Sequence, residues 1–350
     1  KPGKTGGQRS RPRVAVVGAG PAGIACAAEL RRLGVSVMVY ESRDRVGGVL
    51  SETIPLYRFP AGTAEADAAL ALGGNTGDAP VEVRSRSRVV DLTALAGALD
   101  AVFVAPGLGA PGPSLEGEDL RGVERAEPFL ARCRARKYRL RVGPVTVVIG
   151  GGNTAIDAAL AALHCGRETN PERPPRVHLV YRRTKAEMPA WEREVREAEL
   201  LGVVVHPLVQ PLGFSGDKGK LGGVRLARVA LGAPGRDGRP VPVPVAGSEF
   251  VFSCDQAILA MGRRVDPGLG PEMPRSRDGW LRVHARTLRA GPKLYAGGDA
   301  TGGEQTIVSA VRDGKAAAHA IVADLGSRRA ARGSRGRTPG SRPGEEATRG

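Results

Sequence analysis

Short apolar runs, glycine turns and Ala-rich segments succeed one another along the chain in a fixed order, and the order occurs twice. Val14-Ala-Val-Val17 is followed by Gly18-Ala-Gly-Pro-Ala-Gly23, and then by an Ala-rich stretch, Ile24 to Leu33, that stops at Gly34. Further on, Val145-Thr-Val-Val-Ile149 is followed by Gly150-Gly-Gly-Asn-Thr-Ala155, and then by Ile156 to Cys165, which stops at Gly166. Gly18 matches Gly150, Gly20 matches Gly152 and Gly34 matches Gly166, all at an offset of 132 without a gap. Each copy reads as strand, glycine turn and helix. Each continues into a second apolar run, Val35–Tyr40 and Val177–Tyr181, the second after a charged, Pro-rich stretch from Arg167 to Pro175 that reads as a surface insertion. Strand, helix, strand at these lengths is a right-handed parallel crossover. A last apolar run, Leu294-Tyr-Ala, ends in Gly297-Gly298-Asp299, and Thr306 to Leu325 reads as the closing helix.

In such a crossover the first glycine makes the tight turn, the second lets the backbone approach a pyrophosphate, and the third position sets the packing of helix on strand. The phosphates then meet free N–H groups and the positive end of the helix dipole. A single G-x-G-x-x-G is weak evidence, but here both copies follow an apolar strand and open a helix, the setting that gives the motif meaning. The predicted fold class is therefore α/β, with two Rossmann-like dinucleotide-binding domains.

The two copies differ in charge at the end of the second strand. Glu41 suits the ribose hydroxyls of an adenosine and would repel a 2′-phosphate, so the first copy is expected to hold FAD or NAD. Arg182 and Arg183 can clamp a phosphate, so the second is expected to hold NADPH. FAD is favoured in the first copy by Gly47-Gly48 beyond Glu41, a second point of close approach, and by Gly298-Asp299 with the helix behind it. An acid there can hold the ribityl chain or the phosphate region, and the helix N-terminus can stabilise charge on a reduced flavin.

Composition narrows the function classes. The net charge of +16 sits largely at the ends: five cations and no acid in residues 1–13, and seven arginines against Glu345 and Glu346 in residues 327–350. Both stretches are read as basic tails without a core, so nucleic-acid binding is disfavoured. No apolar run is long enough to span a membrane, and the start does not read as a secretory signal. Cys26, Cys133, Cys165 and Cys254 form no C-x-x-C, which disfavours a redox dithiol, an iron-sulfur cluster or a structural zinc. Cys26 and Cys165 are expected as buried, inert thiols, and the compartment is expected to be reducing, hence cytoplasmic. The five histidines show no ligand spacing and are read as surface or packing residues, and no metal site is expected.

Several blocks together carry a family resemblance: V-G-A-G-P-A-G at 17–23, I-P-L-Y-R-F-P at 54–60, G-G-G-N-T-A-I-D at 150–157, Y-R-R-T-K-A-E-M-P-A-W at 181–191, P-V-A-G-S-E-F at 244–250, Y-A-G-G-D at 295–299 and D-G-K-A-A at 313–317. From about Val14 to Leu325 the chain resembles the small (beta) chain of NADPH-dependent glutamate synthase and the flavin half of dihydropyrimidine dehydrogenase. The resemblance implies that FAD is held by Gly18, Gly20, Pro21, Ala22, Glu41, Gly48, Arg58, Gly298, Asp299, Gln305, Thr306 and Ile307. It implies that NADPH is held by Gly150, Gly152, Asn153, Thr154, Ala155, Arg182 and Arg183, with Ala260, Met261 and Gly262 near the nicotinamide.

It further implies an NADPH module inserted into the FAD module: a basic tail at 1–13, a first FAD-binding segment at 14–110, the NADPH-binding domain at 111–264, a second FAD-binding segment at 265–326 and a tail at 327–350. Pro111–Glu118 and Val265–Pro274 are the expected crossings, and Glu187–Trp191 is expected to shape the entrance to a helix, with Trp191 as a packing anchor. The implied activity is hydride transfer from NADPH to flavin, with electrons passed to a protein acceptor, either a large catalytic subunit or an iron-sulfur partner. A pyrimidine-reductase-type electron input and a flavin-binding subunit without turnover are the alternatives. Three features depart from the family pattern. No Cys-rich segment occurs within these residues, Ala105-Pro106-Gly107 replaces an Ala-Thr-Gly turn, and Ala61 stands where a lysine is common.

Overall fold

The computed structural model describes residues 11–73, 78–235 and 238–335. In chain order the elements are β1 (Arg13–Val17), α1 (Pro21–Arg32), β2 (Ser36–Tyr40), α2 (Val49–Glu52), α3 (Thr63–Gly73), β3 (Val81–Arg84), α4 (Leu92–Ala98), β4 (Ala101–Val104), β5 (Ala110–Pro111), β6 (Val123–Arg125), α5 (Ala126–Ala135) and β7 (Val145–Ile149). They continue with α6 (Asn153–Thr169), β8 (Arg176–Tyr181), α7 (Glu192–Leu200), β9 (Val204–Pro207), β10 (Val209–Asp217), β11 (Lys220–Pro234), β12 (Pro240–Ser253), β13 (Gln256–Leu259), β14 (Arg263–Arg264), β15 (Arg289–Gly291), β16 (Leu294–Ala296) and α8 (Ile307–Arg335). Short 3-10 turns cover Lys185–Glu187 and Gly298–Thr301.

Contacts divide the chain into two compact units. The first takes the described residues of Lys1–Asp44, Leu70–Pro106 and Gly268–Gly350. Its sheet runs β15-β16-β4-β1-β2-β3, parallel except for β15. The central strand β1 buries Val14, Ala15 and Val16 completely, because in a parallel sheet covered on both faces neither side of the strand meets water. Helix α8 lies along α1 at Gly314, where an added Cβ would fall 2.2 Å from the Ala22 carbonyl oxygen.

The second unit takes Arg45–Ala69 and Gly107–Pro267. Its parallel sheet runs β6-β13-β7-β8-β9, and a three-stranded antiparallel sheet runs β10-β11-β12. Phe214, Leu221, Val224 and Leu226 of the antiparallel sheet share a core with Val147, Ile149 and Val180 of the parallel one. The expected crossing at Pro111 begins as β5, which pairs antiparallel with β14: Arg263 faces Pro111 and Arg264 faces Ala110.

The structure departs from the sequence reading at several points. Residues 45–69, expected with the first domain, are bound by side chains of the second unit. Arg134, 8% exposed, donates from Nε to Ser51 O at 3.0 Å, from Nη1 to Ile54 O at 2.7 Å and Phe59 O at 2.8 Å, and from Nη2 to Pro60 O at 3.3 Å. The Tyr138 hydroxyl accepts from Leu56 N–H at 2.9 Å. At the amino end, Arg13 already belongs to β1, and residues 1–10 of the expected tail lie outside the described residues. At the carboxyl end α8 runs on to Arg335, past the expected stop at Leu325. The Ala- and Arg-rich residues there are strong helix formers, and adding to an existing helix is easier than starting one. Residues 336–350 of the expected tail lie outside the described residues. Finally, Cys133 and Cys165, which carry no pairing motif, bring their sulfurs to 3.3 Å.

Replacing Arg134 by Met keeps the stem and removes the donors to four carbonyls, which predicts a loss of about 2–4 kcal/mol in denaturant unfolding. A change below about 0.5 kcal/mol, the scale of an ordinary surface substitution, would mean that this guanidinium does not anchor the 45–69 segment.

Candidate functional site

Each unit carries the same turn at the carboxyl end of its central strand. In the first, Gly18 has φ +99° and an added Cβ would lie 2.2 Å from the Ala105 carbonyl oxygen, so only glycine fits. Gly23 is equally closed, since its Cβ would fall 1.8 Å from Gly18 O. Gly20 differs: it caps α1 at φ −78°, and a Cβ there would meet no atom within 4 Å. Pro21 at the first helical position has no N–H to satisfy. No side chain caps the turn, so the first-turn N–H groups, those of Ala22 and Gly23 among them, have no intrahelical acceptor.

The second unit repeats this geometry. Gly150 has φ +146° and a Cβ would lie 2.3 Å from Ala260 O. Gly152 caps α6 at φ −91° with open space beside it and no side-chain cap. The hydrogen bonds correspond one to one. Gly18 N–H donates to Tyr40 O at 2.8 Å and Gly150 N–H to Val180 O at 3.0 Å, while Ala105 N–H donates to Val17 O and Ala260 N–H to Ile149 O, both at 2.8 Å. Each cradle therefore offers unsatisfied N–H groups and a positive helix end beside room that a side chain would otherwise fill, which fits a dinucleotide pyrophosphate.

This correspondence revises the strand ends. Tyr40 matches Val180 in register with the central strands, so the station of Glu41 is held by Tyr181, and the arginines follow one residue later. Glu41 is buried: Oε2 accepts from Ala19 N–H at 2.8 Å, and Oε1 accepts from Arg43 N–H at 2.9 Å and from Ser42 Oγ at 3.2 Å. Its carboxylate thus braces the glycine turn from behind. In the second unit the Tyr181 ring takes that place, so close to Gly151 that a Cβ would sit 2.4 Å from the ring. The two expected phosphate-binding arginines also diverge. Arg182 is exposed, whereas Arg183 is 5% exposed and its Nε donates to Pro240 O at 2.7 Å.

The segment after β8 folds back on the second cradle. Thr184 and Glu187 form a reciprocal cap, Ala190 N–H donates to Gly151 O at 3.0 Å, and Trp191 N–H donates to Asn153 Oδ1 at 3.1 Å. Trp191, expected as a packing anchor, is 64% exposed; it serves by its backbone, as the cap of α7. Asn153 and Thr154 are exposed at the start of α6, and Ala155 is buried. Ala260 and Met261 are half-buried at the end of β13, and Gly262 is exposed with φ +85°.

In the first unit Gly298, φ +70°, lies against Ala22: an added Cβ would be 3.1 Å from the Ala22 Cβ, and Gly298 N–H donates to Asp313 Oδ2 at 3.0 Å. Asp299 is half-buried in the following turn. Gln305 has φ +52°, and Thr306 Oγ1 accepts from Ser309 N–H at 3.1 Å, capping α8. Ile307 opens that helix, 41% exposed. Trp280, which the sequence reading passed over, packs so closely that a Cβ on Gly302 would be 2.7 Å from its ring.

Gly48 and Arg58, expected at the flavin, belong to the second unit. Gly48 caps α2 at φ +56°. Arg58 is held by Asp157 Oδ1 at 2.5 Å and Glu194 Oε1 at 2.6 Å, while its Nη2 is buried with no protein acceptor. Burial raises the Asp157 carboxyl above the usual range against the pull of Arg58. Among the described residues no group of three or more His, Cys, Asp or Glu is placed to hold a metal, although His178 Nδ1 and His206 Nε2 lie 3.0 Å apart. No described helix is long and apolar enough to cross a membrane.

A family model described as pyridine nucleotide-disulphide oxidoreductase matches residues 12–314. The chain belongs to this family. Over 334 residues it is 38% identical to the NADP(+)-dependent formate dehydrogenase subunit beta of Moorella thermoacetica, covering 91% of this chain and 45% of that protein. It is 32% identical to the glutamate synthase [NADPH] small chain of Escherichia coli (strain K12), covering 92% of this chain and 70% of that one. The chain thus spans less than half of the first relative and about two thirds of the second. Among solved structures, Mycobacterium tuberculosis FprA in complex with NADPH shares the fold at TM-score 0.76 and 19% identity, over 92% of this chain and 86% of FprA. Lactococcus lactis thioredoxin reductase shares it at TM-score 0.68 and 20% identity, over 91% and 100%.

The family model extends over both cradles, and Gly20 and Gly152 alone among their turn glycines leave room for a side chain without strain. Asp at either position would cap its helix and fill the phosphate seat with a carboxylate. Gly20→Asp and Gly152→Asp are expected to keep or raise stability, by about a few tenths of a kcal/mol, while each loses the dinucleotide of its own unit in a binding titration. Retained binding in both would mean that the turns are structural only.

Proposed function

We propose that this oxidoreductase holds FAD at the Gly18–Gly23 cradle and NADPH at the Gly150–Ala155 cradle, and delivers electrons to a protein acceptor. The observation that carries the reading is the pair of uncapped helix N-termini, each opened by a glycine with free space beside it. With FAD and NADPH bound, the chemistry supplied is hydride transfer from nicotinamide C4 to flavin N5.

The chain's own residues bind and orient. In the first unit, Ala22 and Gly23 present N–H groups to the pyrophosphate, and Glu41, held on Ala19 N–H, faces the adenosine ribose. Gly298, against Ala22, lets the Gly298–Thr301 turn close on the same end of α1, with Asp299 for the ribityl and phosphate region. Gln305, Thr306 and Ile307 put a capped helix end and an apolar side chain at the flavin ring.

In the second unit, Asn153, Thr154 and Ala155 receive the NADPH pyrophosphate. Arg182, exposed just beyond β8, reads the 2′-phosphate, while Arg183 ties that strand end to Pro240. Ala260, Met261 and Gly262 line the nicotinamide end. No general base or nucleophile is assigned, because hydride transfer needs alignment and exclusion of water rather than proton movement.

The acceptor reading rests on the relatives, whose names describe a beta subunit and a small chain. A large catalytic subunit or an iron-sulfur partner fits that pattern, in the manner of glutamate synthase first and a pyrimidine reductase second. Four free thiols favour a reducing, cytoplasmic setting.

The test is anaerobic stopped-flow reduction of the FAD-loaded chain by NADPH and NADH side by side. We expect faster reduction at limiting NADPH, with the preference falling about 10- to 100-fold in Arg182→Ala, the worth of a charge-assisted hydrogen bond. Equal use of both coenzymes by the unaltered chain contradicts the arginine assignment. A chain that keeps FAD but ignores both is a flavin-binding subunit without turnover.

A further inference from the structure

Cys133 on α5 and Cys165 on α6 stand 32 residues apart, with no spacing motif to link them. Both helices pack in the core of the second unit, among Phe129, Leu130, Ala161 and Ala162. There the two sulfurs lie 3.3 Å apart, with the side chains 1% and 0% exposed. A disulfide has its sulfurs at about 2.05 Å, so closure needs a movement of about 1.3 Å within a contact already made. The contact between the two sulfurs holds the Cys165 thiol below its ordinary range and pushes Cys133 up. The other two cysteines are different. Burial pushes Cys26 up, and burial with Asp255 nearby pushes Cys254 up to about 12. Of the four cysteines, these two have their sulfurs in contact, so a sulfenic acid formed on either has a resolving thiol beside it.

We propose that Cys133 and Cys165 form an oxidant-sensitive modification site, at which a small hydroperoxide converts the two thiols into a disulfide between α5 and α6. The Cys165 thiolate attacks one peroxide oxygen, the O–O bond breaks, and the departing oxygen takes a proton to leave as water. Cys165 is then a sulfenic acid. The Cys133 sulfur displaces that hydroxyl, which leaves as a second water with the Cys133 proton. Two thiols and one hydrogen peroxide give one disulfide and two waters: the sulfur pair loses two electrons and the peroxide gains them. A dithiol reductant reverses the bond. Because α6 begins at Gly152, the link ties the helix behind the second glycine cradle to its neighbour. The site does not depend on which dinucleotide the cradle takes.

The experiment treats the purified full chain with hydrogen peroxide, removes the peroxide with catalase, then labels free thiols with iodoacetamide in denaturant and maps the peptides by mass spectrometry. The expected result is four labelled cysteines before treatment and two, Cys26 and Cys254, after it. A Cys133–Cys165 peptide pair two hydrogens lighter should appear and vanish on treatment with dithiothreitol. Cys133→Ala should yield no bridged peptide. The proposal is overturned by four labelled cysteines at a dose that fully oxidises free glutathione. It is equally overturned by a bridge to another cysteine or by sulfinic acid without a bridge. The unaltered chain alone decides it, so a variant that fails to fold does not remove the test.

Discussion

An α-helix that begins without a cap leaves backbone N–H groups unanswered and the positive end of its dipole exposed. Among the helices that begin so, those at Gly20 and at Gly152 both start at the end of the central strand of a largely parallel sheet. A protein of ordinary economy would put Ser, Asp or Thr there, and α4, capped by Asp91, does so within the same chain. These two ends are held open by neighbouring turns that admit only glycine, Gly18 facing Ala105 O and Gly150 facing Ala260 O. That is the arrangement an anion supplied from outside would complete.

From that shared plan the two units diverge by what stands behind the turn. Glu41 uses both oxygens on backbone and hydroxyl donors, so the carboxylate is fixed in place behind the glycine turn. Tyr181 fills the matching station with an uncharged ring, and the exposed Arg182 follows it. A ring in place of a carboxylate, with one exposed guanidinium beyond it, is the chemical difference between the two cradles.

The duplicated unit was legible because its evidence is local: strand, turn and helix lie within about twenty residues of one another, and glycine is the residue a tight turn against a neighbouring backbone demands. The strand ends were half legible. The sign change was visible, but the one-residue shift that puts Tyr181 opposite Glu41 depends on pairing across the sheet, which an insertion between α6 and β8 conceals. What was missed is carried by contacts over long separations. Residues 45–69 join the second unit through Arg134 and Arg58, 74 to 136 positions from their partners. Cys133 and Cys165 meet only because two helices pack, and no spacing rule foresees it. Trp191 looked like an anchor by size, yet it acts through its backbone, donating to Asn153 while its ring is exposed.

Family membership and the geometry of the turns lead to one proposal: the helix ends at Gly20 and Gly152 are each the seat of one dinucleotide. A crystal structure of the chain grown with FAD and NADP+ tests it directly. The account predicts one pyrophosphate on the first turn of Pro21–Arg32 with its adenosine ribose at Glu41, and another on the first turn of Asn153–Thr169 with its 2′-phosphate at Arg182. Both coenzymes bound away from these helix ends, or a single dinucleotide with one turn left bare at saturation, would contradict it.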